Sequence, residues 1–271
     1  MPFDDHLRPE TSALYTDLYQ LTMLQAYWRE GMDDAPAVFD LFVRRLQGRN
    51  YLLACGLEQA LEFLETLSFS EAALDYLHDQ EQFDDAFLDW LSGFEFTGDV
   101  YAVPEGTPVF ADEPIVEVVA PIGEAQLVET FLLNQITFQT TIASKATRVV
   151  QAARADGTDR LVADFGMRRL HGTDAAQKAA RAAYIAGADA TSNVAAGQAY
   201  GIPITGTMAH SYIEAHDSEM EAFRAFSDLY PETILLVDTY DTLDGVRKVI
   251  DLEQEAAGPY TQLTLPRYAL C

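Results

Sequence analysis

The residues of this chain best suited to chemistry are a histidine after a Gly-Thr pair, two adjacent arginines between glycines, and a Ser-Asn helix start. The histidine lies in Gly201-Ile202-Pro203-Ile204-Thr205-Gly206-Thr207-Met208-Ala209-His210-Ser211. A short apolar segment ends at Gly206-Thr207, which puts the His210 imidazole at the C-terminal end of a strand, where α/β proteins hold ligands. The arginines lie in Asp164-Phe165-Gly166-Met167-Arg168-Arg169-Leu170-His171-Gly172. Guanidinium groups make bidentate, charge-assisted bonds to phosphate or carboxylate oxygens, so Arg168 and Arg169 suit an anionic ligand. The plainer alternative is a surface pair bonded to helix carbonyls. The third stretch runs Gly187-Ala188-Asp189-Ala190-Thr191-Ser192-Asn193-Val194-Ala195-Ala196-Gly197. Ser192-Asn193 opens a helix there, as an anion site or merely as a cap, and Asp189 stands where a ligand amide or ring nitrogen could be oriented. His210 likewise has a quieter reading, as a capping or buried structural group.

Some chemistry is not expected. His6, His78, His171, His210 and His216 show no metal-ligand spacing, and Cys55 and Cys271 make neither a ligand set nor a disulfide framework. No structural zinc is therefore expected, and a reducing cytoplasm is the expected setting. The chain carries 43 acidic against 17 basic residues, a net charge of −26, and its lysines are Lys145, Lys178 and Lys248 alone. Such a field repels a nucleic-acid backbone. No run of 18 or more apolar residues suggests a membrane span, and the acidic start Met1-Pro2-Phe3-Asp4-Asp5-His6 is unlike a signal peptide. Apolar periodicity persists despite the acidity, which argues against disorder. Either a halophilic, solvated acidic surface or an ordinary acidic cytosolic protein accounts for the charge.

The elements that must position these residues follow from periodicity and punctuation. A helix is expected over 11–31, capped by Thr11 or Ser12 and stopped by Gly31. A strand follows over 37–43, then a basic turn over 44–50, then short amphipathic helices over 57–67, 70–78 and 83–91. Strands are expected over 96–103, 108–110 and 115–120, and a long helix or helix pair over 123–155. From residue 160 the texture alternates: strands over 161–163, 188–190, 203–205 and 234–237, with helices over 173–187, 193–200, 209–229 and 241–256. Such units imply a parallel sheet or barrel, and four of them fall short of a closed eight-fold barrel. The tail from Gly258 to Cys271 lacks helical periodicity. Near the N-terminus, Tyr15 and Tyr19 interrupt an amphipathic helix, and from the residues alone they read as packing groups.

Together, Tyr15-Thr16-Asp17-Leu18-Tyr19-Gln20, Phe165-Gly166-Met167-Arg168-Arg169, Thr191-Ser192-Asn193-Val194 with Gly197, and Gly206-Thr207-Met208-Ala209-His210-Ser211 resemble the nicotinate phosphoribosyltransferase family. The resemblance covers about residues 11–250 and implies an α/β fold: an N-terminal α+β domain, here 1–120, joined to an irregular α/β barrel, here 121–271. It implies a cytoplasmic homodimer with shared active sites, and neither nucleic-acid nor membrane partners are expected. The reaction implied couples nicotinate to phosphoribosyl pyrophosphate, giving nicotinate mononucleotide and pyrophosphate for NAD biosynthesis. ATP and Mg2+ are the implied cofactors. Tyr15 would stack on the pyridine ring in the partner subunit's site, with Phe165 on the ring's other face. Arg168 and Arg169 would hold phosphate oxygens, Asp189 would lie beside the ring, and Thr207 would contact nicotinate. His210 would be the histidine that ATP phosphorylates. Members continue through an Asp-Ser-Gly-Asp segment, a glycine-rich phosphate loop and a later arginine, none of which occurs here, so the barrel is expected to be incomplete and turnover weak. The alternatives are a non-catalytic homologue that dimerises with a full-length relative, and a nicotinamide or quinolinate phosphoribosyltransferase.

Overall fold

A computed structural model of the chain describes residues 13–46 and 48–256. Helix α1 spans Leu18–Glu30 and stops at Gly31, whose φ of +66° is a left-handed conformation that glycine adopts without a Cβ penalty. It begins later than the expected residue 11, because Ala13 and Leu14 form a turn and Asp17 is extended; Thr11 and Ser12 lie outside the described residues. Strand β1 (Pro36–Phe42) is followed by β2 (Leu52–Leu53) and three short helices, α2 (Leu57–Thr66), α3 (Glu71–Asp79) and α4 (Asp85–Leu91). The expected basic turn includes Gln47, which lies outside the described residues. Strands β3 (Asp99–Ala102), β4 (Pro108–Val109) and β5 (Pro114–Pro121) come next. An antiparallel sheet forms in the order β1-β5-β3, with Pro36 opposite Pro121 and Val119 opposite Asp99, while β2 pairs with β4.

The long helical stretch resolves into a pair, α5 (Ile122–Leu127) and α6 (Glu129–Ala153). The first core gathers Leu24, Phe63, Phe87, Leu91, Val116 and Val118, and it continues beyond residue 120 through Val128, Phe131 and Ile136. Phe63 stacks on Phe131 with ring centroids 3.8 Å apart. Helix α6 therefore presents one stretch to this core and another, around Ala143 and Val150, to the second half. Its hydroxyls also satisfy an otherwise unpaired backbone edge: Leu53 N donates to Ser144 Oγ (2.8 Å) and Cys55 N to Thr140 Oγ1 (3.1 Å).

In the second half, β6 (Ala163–Asp164) and β7 (Ala190–Thr191) pair in parallel, and Ile204 adds a single parallel bridge to Thr191. Each successive unit thus adds on the same side, as in a barrel wall that stays open. Helices α7 (Thr173–Ile185) and α8 (Val194–Tyr200) stand where alternation requires. Gly197 explains how closely α8 packs: a Cβ there would lie 2.3 Å from Ile204 Cγ2. The expected helix over 209–229 is two, α9 (His210–Glu214) and α10 (Glu219–Leu229), because Ser218 accepts from Glu221 N and caps a new start. The expected strand over 234–237 finds no ladder partner. Leu235, Leu236 and Val237 instead pack irregularly against the cluster of Ile213, Phe223 and Leu252, which helix α11 (Thr242–Ala256) closes. The tail from Gly258 lies outside the described residues.

Candidate active site

The end of β6 and the end of β7 are tied together by side chains. Asp164 Oδ2 accepts from Thr191 Oγ1 (2.9 Å), its Oδ1 accepts from Gly166 N (2.9 Å), and its carbonyl accepts from Ser192 N (2.8 Å). Thr191 Oγ1 in turn accepts from Asn193 N (3.1 Å), and Asn193 Oδ1 caps α8 by accepting from Ala196 N (3.1 Å). Thr191 and Asn193 are fully buried. Ser192-Asn193 therefore works as a cap and brace here, and Asp164 and Thr191 are the bracing groups that sequence reasoning did not single out. A Thr two residues before a capping Asn is their faint sequence signal.

This brace holds the loop that carries Phe165 and the single 3-10 turn Met167–Arg169. Asp164, Phe165, Gly166, Arg169 and Leu170 line a cavity of about 300 Å³ whose floor is Val162, Ala179, Ala183 and Ala188 and whose far wall is α6, with Lys145 at its edge. The alanines let α7 approach the short strands and leave room. An apolar slot edged by Lys145 and Arg169 matches a flat ring that carries an anion.

Among the described residues several cations are held in ion pairs, such as Arg29 with Asp84, Arg160 with Asp156, Arg224 with Glu255, and Lys248 with Glu219 and Asp244, whereas others, Arg44 and Arg45 among them, are not. Arg168, Arg169 and Lys145 form no ion pair among the described residues. Asp189 behaves differently from a free ring-facing group. Both of its oxygens accept from Arg154 Nη2 (2.9 Å each) and one also accepts from Val162 N (2.7 Å), which locks the end of α6 to the strand.

His210 opens α9 and is exposed, with its Nδ1 3.1 Å from Thr239 Oγ1. The Thr207 hydroxyl donates to the Ile234 carbonyl, so it anchors the loop. Neither Thr207 nor His210 lines the Phe165 cavity. Tyr15 stands apart as well, its ring edge-on to Phe131 at 5.6 Å. Burial, and then the Asp174 charge, raise its phenol pKa and keep it protonated. Its segment is held at the α5–α6 junction, where Gln20 donates to Glu129 (2.9 Å) and Thr130 to Asp17 (2.9 Å). Of the other histidines, His216 Nδ1 is 2.7 Å from the Tyr212 carbonyl, and His6 lies outside the described residues. No group of three His, Cys, Asp or Glu among the described residues is arranged to hold a metal ion.

The model of the nicotinate phosphoribosyltransferase N-terminal domain matches residues 14–137. Nicotinate phosphoribosyltransferase pncB2 of Mycobacterium tuberculosis is 58% identical over 247 residues, covering 91% of this chain and 52% of that protein. The chain belongs to the nicotinate phosphoribosyltransferase family. The nicotinate phosphoribosyltransferase of Bacillus subtilis is 43% identical over 250 residues, 92% of this chain and 50% of its own length. The chain thus spans about half the length of the curated relatives it matches. Among solved structures, human nicotinic acid phosphoribosyltransferase superposes with a TM-score of 0.77 at 29% identity, over 88% of this chain and 58% of that one. That likeness agrees with an α+β domain joined to an incomplete α/β barrel.

Proposed function

We propose that this chain carries the pyridine-ring and phosphate-holding part of a nicotinate phosphoribosyltransferase that joins nicotinate to phosphoribosyl pyrophosphate in NAD biosynthesis. The observation that supports it most is Arg169, which lines the Phe165 slot without an ion pair among the described residues in a chain of net charge −26, with Arg168 next to it in the same turn. A guanidinium left without a carboxylate partner at the edge of an apolar slot suits an anionic ligand.

Departure of pyrophosphate from the ribosyl carbon leaves an oxocarbenium-like centre. Catalysis then consists mainly of positioning the ring nitrogen and stabilising the leaving anion. Phe165 would take one face of the ring, and Arg168 with Arg169 the phosphate oxygens. The Asp164–Thr191 brace, with Asp189 behind it, would hold both in register. Tyr15, outside this slot in its own chain, would act across a homodimer interface, on the ring's other face in a second subunit. Thr207 would shape the nicotinate end of the site through its loop.

ATP would phosphorylate His210, which is exposed at a helix start. Magnesium suits this donor set as an ion carried by the phosphates, since it keeps most of its ligands from water and phosphate; when bound it neutralises the diphosphate. The cytoplasm would be the setting of this reaction; no helix among the described residues is long and apolar enough to cross a membrane.

Calorimetric titration of the chain with phosphoribosyl pyrophosphate tests this reading. Binding that falls at least tenfold in Arg168→Ala/Arg169→Ala is expected. Equal binding in both proteins would remove the arginines from the site. Competition among nicotinate, nicotinamide and quinolinate then decides the ring.

A further inference from the structure

The loop that carries His210 is clamped at two points by a segment that has no regular structure of its own. Thr207 Oγ1 donates to the Ile234 carbonyl, and His210 Nδ1 lies 3.1 Å from Thr239 Oγ1. Between those two contacts Leu235, Leu236 and Val237 are seated against Ile213 and Phe223. Helix α11 backs the segment closely: a Cβ on Gly245 would lie 2.4 Å from the Val237 carbonyl oxygen, so only glycine permits the approach. Irregular backbone held this firmly is built to present something. What it presents to His210 is the Thr239 hydroxyl, while Nε2 makes no hydrogen bond among the described residues. A hydroxyl can accept a proton, and the bond at one ring nitrogen decides the state of the other.

We propose that Thr239 is a positioning residue for His210: its oxygen accepts the Nδ1 proton and thereby leaves the Nε2 lone pair as the nucleophile for phosphoryl transfer from a nucleoside triphosphate. This rests on the phosphoryl-accepting role given to His210 above. In the transfer, the Nε2 lone pair forms the new N–P bond. The bond from the γ-phosphorus to the bridging oxygen breaks, and its electron pair departs with the nucleoside diphosphate. Nδ1 keeps its proton throughout, bonded to Thr239, so the ring stays oriented while it becomes cationic. Without that oxygen the neutral imidazole reverts to its ordinary preference for a proton on Nε2, and the outward nitrogen loses its lone pair.

The test is the tautomer ratio of His210, read by long-range proton–nitrogen correlation in the full chain with 15N-labelled histidine side chains. The signal is assigned by its loss in His210→Asn. In the unaltered protein and in Thr239→Ser, the form with the proton on Nδ1 is expected to dominate. In Thr239→Val and Thr239→Ala the ratio of Nδ1–H to Nε2–H should fall about fivefold, the change that one hydrogen bond of ordinary net strength produces. If Thr239→Val does not fold, Thr239→Ala against Thr239→Ser carries the comparison. An unchanged ratio across the variants overturns the assignment. So does phosphorus bound to Nδ1 after incubation with ATP and magnesium. A ratio that shifts as expected while no variant is phosphorylated overturns the phosphoryl role of His210 and leaves Thr239 established as the group that sets its tautomer.

Discussion

The antiparallel half of this molecule and its parallel half are held together by different kinds of side chain. Around β1, β5 and the first helices, large residues such as Phe63, Phe87, Leu91 and Phe131 fill one continuous core. Around β6 and β7 the buried set is small: Val150, Val162, Ala183 and Ala188. Bulk in the first half fixes shape. Alanines and close-packed glycines in the second let helices approach two-residue strands, and the slot beside Phe165 is what remains between them. The Phe165 slot thus belongs to the alanine-lined half, and the halves meet both through a small apolar cluster of Leu53, Cys55, Ala143, Ala182 and Ala186 and through polar joints.

The hardest way to break this division is at the core. Phe131→Ala should cost about 3–5 kcal/mol, read as the shift in a urea unfolding midpoint, because it removes the partner of both Phe63 and Tyr15. The main polar joint comes next. Arg181 on α7 bonds Glu105 through both terminal nitrogens (2.9 and 2.6 Å) and also pairs with Glu58; Glu105 accepts from Gly56 N (2.6 Å) and Leu57 N (3.1 Å) at the start of α2. Arg181→Met strands the Glu105 carboxylate and should cost about 2–4 kcal/mol, with recovery of most of the loss in Glu105→Gln/Arg181→Met.

The same joint has a pH signature. Burial would raise the Glu105 pKa, but the bonds from Arg181 and Gly56 outweigh it and hold it below the ordinary 4.5. A depressed folded pKa means that the stabilisation is complete above the ordinary, unfolded value and drains away as pH falls from there through the folded pKa. Stability measured from pH 6 down to pH 3 should therefore fall more steeply in the unaltered chain than in Glu105→Gln.

The slot responds in the opposite manner. Arg168→Ala/Arg169→Ala should change stability by less than about 0.5 kcal/mol, since both arginines are exposed and make no ion pair among the described residues. A larger loss would show that the pair supports the fold. The smallest effect belongs to Cys55. Burial and then the Glu105 charge push its thiol up to about 12, so in a Cys271→Ser background a thiol reagent at pH 8 should label it only after denaturation.

Local periodicity made much of the scaffold legible. Gly31 ended α1 as read, the three short helices fell within two residues of their expected bounds, and the helix pair α5–α6 was anticipated as one of two outcomes. What escaped was settled by distant partners. Leu235 to Val237 read as a strand because their apolar run is strand-like, but no neighbour offers a ladder. The helix over 209–229 read as continuous because its apolar spacing runs on across Ser218, while the hydroxyl there restarts the chain. Arg168, Arg169 and His210 were singled out from type and spacing, and Phe165 through the family resemblance. Asp164, Thr191 and Thr239 make bonds that span 27 or 29 residues, which local pattern announces at most faintly, as in the Thr two residues before the capping Asn193. Asp189 was singled out as a candidate ligand-facing group, but its bonds to Arg154 and Val162 were not legible.

Helix α6 joins the two halves as a single rod of 25 residues. From Phe131, clamped in the large core, to Val150, against the parallel strands, it runs about 28 Å at 1.5 Å per residue. It is a lever with its fulcrum in the aromatic stack. A tilt of about one degree there would carry the far end, and the Phe165 slot beside it, by roughly half an ångström. Precision at the Phe165 loop is in that sense leveraged from a packing contact nearly thirty ångströms away.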